Sequence, residues 1–168
     1  MLNLYMFICY ILMFLSFLGI LINGLQGFFH FKIYNATHVA FAFISTILYM
    51  FTQTLIMFYF IGAGKRIKET IINHQLDKTI YEEVIAIKRE LFSPLTLNML
   101  FVGTAFIIGG GVHTGAVNKY WHTGLFFISI LHYLKVIIIQ HQSFIKNSDI
   151  LSRVGRDLEK KLLIRKKT

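Results

Sequence analysis

The sequence predicts an all-α protein: a four-helix transmembrane bundle with amphipathic cytoplasmic helices. Three observations carry this reading. Four long runs are almost free of charge, the lysines and arginines crowd to one side of them, and the charged segments keep a helical spacing of apolar residues. A run of about 18 or more apolar residues crosses the hydrocarbon core as a helix, because only an internally hydrogen-bonded backbone is tolerated there. Fifty-five per cent of the 168 residues are hydrophobic, and that surplus lies in the runs.

The first run, 4–29, is interrupted only by Ser16, Asn23 and Gln26. It lacks a basic leader and a small-residue cleavage site, so it reads as a retained helix and not as a signal peptide. The second, 39–63, has no charge. The third, 95–112, is opened by Ser93-Pro94; serine caps a helix and proline suits its first position, whose N–H has no use. The fourth, 121–140, carries Lys135 near one end, where its stem can snorkel toward headgroups.

Orientation follows from the basic residues. Six (Lys65, Arg66, Lys68, Lys78, Lys88, Arg89) fall between spans two and three, and eight follow span four, whereas the two short hairpins on the other side hold only Lys32 and Lys119. The positive-inside rule then places both termini in the cytoplasm, in a plasma membrane of the bacterial inner-membrane kind. The chain divides into a four-span domain, 1–145, and a basic amphipathic tail, 146–168.

Charge alone, at +9, could suggest nucleic acid, but its placement argues against that. Ile80, Val84, Ile87 and Leu91 recur at helical spacing, as do Ile150, Val154, Leu158 and Leu162. Basic amphipathic helices beside a bilayer contact anionic headgroups or partner membrane subunits, and no nucleic-acid-binding motif is present. Gly62-Ala63-Gly64-Lys65-Arg66 has some of a phosphate loop's residues but lacks its spacing and its Ser/Thr, so it reads as a helix end with basic anchors. All eight carboxylates lie on the basic side, which leaves no Ser-His-Asp constellation and no catalytic residue to nominate. The single cysteine, Cys9, falls in the first run, where a buried inert thiol is expected.

The histidines are the chemically informative residues. His30 and His38 bracket the first hairpin and His113 and His122 the second, all four at the outer boundary. From His38, the positions Ala42, Ser45, Tyr49, Thr52 and Gln53 form a small and polar stripe, the kind of face that packs inward in lipid. His122 and Ser129 share a face seven residues apart, and Gly109, Gly110 and Gly111 precede His113, allowing a neighbouring helix or a flat cofactor close to the backbone. His132 lies deeper in span four, where an ionisable group is a functional hypothesis by default. His74 and His141 read as surface residues of the basic side.

Imidazoles on facing helices can supply the two axial ligands of a b-type haem. The candidates are His38 paired with His113 or His122, with His30 and His132 as further possibilities. Thr114, Tyr120 and Trp121 could give edge contacts, and Lys32 or Lys119 a propionate partner. Copper transport is disfavoured because the methionines lie away from this cluster, and an all-histidine zinc site would lack a carboxylate base. From a different class comes a cofactor-free accessory or assembly subunit of a larger membrane complex, its phenylalanine-rich faces and basic segments serving as docking surfaces. A channel fits less well, since the spans carry no acidic pore lining.

Residues 58–65 (FYFIGAGK) and 109–115 (GGGVHTG) resemble small bacterial four-span membrane proteins. The resemblance covers spans two and three, implies the same four-span plan, and carries no activity. Likeness to four-helix b-type cytochromes is architectural only.

Overall fold

The computed structural model describes residues 2–33 and 35–167, with side chains described for 4–33 and 35–165. Its elements are α1 (Leu2–Phe29), α2 (His38–His74), α3 (Thr79–His113) and α4 (Lys119–Lys167). Among the described residues there is no strand, only an isolated bridge between Ile33 and Ala36. All four helices are long and apolar enough to cross a membrane.

Short connections make chain neighbours antiparallel. α1 packs on α2, α2 on α3 and α3 on α4, and α4 closes the bundle against α1 and α2. The α1–α2 seam keeps one register throughout: Gly27 meets His38, Gly19 meets Ser45, the Leu12 carbonyl accepts from Thr52, and Tyr5 stacks on Tyr59. At the turn between α2 and α3, Gln75 is left-handed (φ 49°), and the N–H groups of Gln75 and Leu76 close the helix end onto the Ile72 and Ile71 carbonyls. This is a Schellman ending with glutamine where glycine is usual. Asp77 Oδ1 then accepts from the Thr79 N–H at 2.9 Å and starts α3.

Three expectations change here. Ser93-Pro94 does not begin a helix, because α3 starts at Thr79 and runs through Pro94. Leu91 and Leu95, on either side, are both fully buried, so tertiary packing holds the helix through a residue that cannot donate to the Glu90 carbonyl. Likewise 62–66 is no helix end: Gly64 is buried within α2, and Val84 and Lys88 cross over it. Burial there holds the Lys88 amine below the usual lysine range. Third, the α3 stripe and the first half of the tail stripe are covered by the protein's own helices, whereas Leu162 is left exposed. Ile80, Val84, Ile87 and Leu91 are buried in one apolar core with Ile67, Ile71, Phe144, Ile150 and Val154.

The lengths explain this. At a rise of 1.5 Å per residue, the 37, 35 and 49 residues of α2, α3 and α4 reach about 55, 52 and 73 Å, against about 30 Å of hydrocarbon. Past the first residues of α1, the other three continue as a stalk. Lys146 pairs with Glu90 at 2.7 Å, Arg153 with Glu83 and Asp149, and Lys161 donates to the Gln75 carbonyl across its surface. The helix α4 passes residues 145 and 146 without a break.

Candidate functional site: the histidine end of the bundle

The polar stripe of α2 faces inward as expected: Ser45, Tyr49, Thr52 and Gln53 are buried. It feeds a hydrogen-bond system through the bundle interior. Tyr49 donates to Asn98 Oδ1 (2.6 Å), and Asn98 Nδ2 donates to the Ser129 carbonyl (2.9 Å). Ser16 and the Tyr133 hydroxyl are bonded at 2.8 Å; Gln53 donates to that hydroxyl and accepts from Gln140. Nearer the basic end Asn147 donates to Tyr59. Buried polar groups in an apolar bundle must find partners, and these do so across four helices.

At the other end, the hairpins set two imidazoles against glycines. Thr37 caps α2, its hydroxyl accepting from the Ala40 N–H, which fixes His38 as the first helical residue. Its ring lies on Gly27 of α1, where an added Cβ would stand 3.1 Å from Cε1. Asn118 Oδ1 accepts from the Tyr120 N–H at the start of α4, with His122 in the first turn. The His122 ring lies on Gly109 of α3, where a Cβ would stand 2.8 Å from Cε1. Phe126, one turn on, lies on Gly24 of α1.

The two rings then meet edge-on across the bundle, centroids 6.4 Å apart and planes at 70°. His122 Nδ1 is 3.0 Å from the Ala105 carbonyl. A carbonyl only accepts, so Nδ1 holds the proton and Nε2 keeps a free lone pair, the tautomer that outer-sphere carbonyls impose on metal-binding histidines. His38 Nδ1 is buried without a hydrogen-bond partner, as is Asn23 Oδ1 on α1. With metal–imidazole bonds of about 2.0 Å, a metal between two opposed imidazole nitrogens sets the ring centroids roughly 6 Å apart. The observed centroid separation is close to that distance. Among the described residues no three His, Cys, Asp or Glu side chains gather closely enough to hold a metal ion.

Both rings line two adjoining cavities. One of about 260 Å³ reaches inward past Asn23, Ser45 and Ser129 with apolar walls. The other, about 590 Å³, opens at the mouth past His30, His113, Lys119 and Tyr120. The larger cavity falls within the roughly 300–1,000 Å³ of small-molecule and cofactor sites.

Of the sequence candidates, then, His38 and His122 are brought into contact. His113 ends α3, and His30 follows α1 with φ 55°; both are exposed at the rim of the larger cavity. His132 lines neither cavity: it sits edge-on to Phe101, with Nδ1 buried and unpartnered. Lys119 and Tyr120 line the mouth, whereas Trp121 and Lys32 do not. His141, read as a surface residue, is exposed but bonded to the Tyr10 hydroxyl at 2.9 Å. The residue that sequence reasoning missed is Asn23. Its signal was available, since Ser16 and Asn23 stand seven residues apart on one face of α1, among the few polar residues of an apolar run.

Set against protein-family profiles, curated proteins and solved structures, the chain matches none.

Proposed function

We propose that this is an integral membrane protein of the plasma membrane, with both termini and the stalk in the cytoplasm, that binds one b-type haem between His38 and His122 and takes part in electron transfer. The observation that supports it best is the His38–His122 pair, two imidazoles from different helices with centroids 6.4 Å apart inside a cavity. The residues present fit the group. Gly27 and Gly109 make room for the rings themselves, the Ala105 carbonyl holds His122 with Nε2 free, and His38 has a buried nitrogen without a partner. Bound haem would supply a one-electron couple, while the apolar walls would exclude water and Lys119 at the mouth could meet a propionate. The membrane orientation rests on the basic residues crowding to the stalk end.

The test is a dithionite-reduced minus oxidised visible spectrum of detergent-purified protein from a haem-replete host. A sharp α-band and a shifted Soret peak are expected, both lost in His38→Ala and in His122→Ala and both kept in His113→Ala. A flat spectrum refutes the haem reading.

A second reading, the cofactor-free accessory subunit, is favoured by one observation. Leu162 and Leu163, near the end of α4, are exposed among charged residues beyond the buried stalk residue Val154. On that reading Leu162→Asp with Leu163→Asp dissolves a larger assembly seen by native electrophoresis of solubilised membranes, and an unchanged assembly counts against it.

A further inference from the structure

We propose that the groove between α1 and α2 at the basic end is a binding site for one anionic phospholipid, its phosphate held by Arg66 and an acyl chain lying along Ile8 and Phe58. The inference rests on the membrane orientation given under Proposed function and is independent of the haem.

The groove has a volume of about 300 Å³ and lies where α1 begins and α2 continues into the stalk. Its lower walls are apolar and outward-facing: Leu4 is 63% exposed and Phe58 61%. Gly62 forms part of the lining, and a Cβ there would meet nothing within 4 Å, so the groove is open at that point. Arg66 stands at the upper end. It is eight residues from Phe58, about 12 Å along the helix, which matches a headgroup above and a chain below.

The neighbouring cations are engaged and this one is not. Lys65 pairs with Glu69 at 3.9 Å, and Lys68 lies over the Tyr81 ring. Among the described residues the Arg66 guanidinium has no ion-pair partner. The two tyrosines of the groove, Tyr5 and Tyr59, stack with ring centroids 5.8 Å apart. Tyr59's hydroxyl accepts from Asn147, whereas Tyr5's has no partner among the described residues and is available to a phosphate or ester oxygen. A guanidinium takes a phosphate bidentately and always carries its charge, which singles out an anionic lipid over a zwitterionic one whose own amine competes.

The test places a reporter in the groove. Phe58→Trp, with Trp121→Phe to remove the other indole, is reconstituted in equimolar phosphatidylcholine and phosphatidylglycerol, one or the other brominated on its acyl chains. Brominated phosphatidylglycerol is expected to quench more, with a relative binding constant of roughly five. Arg66→Gln should bring that ratio to one, while Lys65→Gln leaves it. Equal quenching by both lipids in the reporter protein that keeps Arg66 overturns the site, as does an equal loss in Lys65→Gln, which would mean diffuse attraction to a basic surface. Quenching by neither lipid would instead overturn the membrane placement itself.

Discussion

Tyr49 and Tyr133 pack edge to face at the middle of the bundle, ring centroids 4.9 Å apart and planes at 85°. Their hydroxyls lead to different partners: Tyr49 donates to Asn98, and Tyr133 meets Ser16 and Gln53. This ring contact joins two hydrogen-bonded groups into one interior system touching every helix. In an apolar surrounding such a system specifies register more than it adds stability, since a shifted helix would strand each donor without a partner.

Tyr133→Phe removes the hydroxyl but keeps the ring contact. Ser16 still has the Met13 carbonyl at 3.0 Å, so the principal casualty is the Gln53 amide. The expected loss is about 1–2 kcal/mol in a mixed-micelle unfolding titration. Asn98→Leu should cost more, because it strips both the acceptor from Tyr49 and the donor from the Ser129 carbonyl. A smaller loss for Asn98→Leu than for Tyr133→Phe would contradict this account.

The glycine triplet separates into positions with different duties. A Cβ at Gly109 would lie 2.8 Å from His122 Cε1, whereas one at Gly110 meets nothing within 4 Å. Gly109→Ala should therefore push the His122 ring off the Ala105 carbonyl and weaken or abolish the spectrum of the proposed haem. Gly110→Ala should leave the spectrum intact and add up to about 1 kcal/mol of helix stability. Identical spectra for the two variants would remove His122 from the site.

The four helices were legible because charge is costly in hydrocarbon, so uncharged runs announce themselves without any knowledge of packing. The inward face of α2 was legible for a related reason: Ser45, Tyr49, Thr52 and Gln53 are too polar to leave on lipid. What could not be read was pairing between distant residues. Nothing local says that Gln53 meets Gln140, or that the stripe around Ile87 is covered by the protein's own Ile150 and not by headgroups. Pro94 misled because a local preference for helix starts was overridden by Leu91 and Leu95. Nor could it be read that the His38 ring lies against His122, because helix register decides that contact.

Asp77 makes the turn into α3 sensitive to acid. The Thr79 N–H bonded to its carboxylate holds its pKa below the ordinary aspartate value. A depressed folded-state pKa contributes stability above the unfolded value, and that contribution disappears as pH falls through the folded one. Asp77→Asn keeps an oxygen for the same N–H but does not titrate. Thermal midpoints taken from pH 7 down to pH 3 should fall more steeply for the wild type than for this variant. Parallel curves would show that the cap does not form.

The stalk distinguishes apolar packing from surface charge. Ile150 is 2% exposed and packed in the core that covers the α3 stripe, whereas Lys146 and Glu90 form their 2.7 Å pair with both side chains at least half exposed. Truncating a buried isoleucine costs about 2–5 kcal/mol, the lost transfer energy plus the cavity left behind. Solvent screening and the entropy of two long side chains hold an exposed ion pair to about 0–1 kcal/mol. Ile150→Ala should accordingly open α3 and α4 to limited proteolysis between residues 79 and 94, while Lys146→Ala should leave the cleavage pattern almost unchanged. If the tail lay on headgroups instead, the order would reverse: loss of Lys146 would weaken vesicle attachment and Ile150→Ala would leave residues 79–94 as resistant as before.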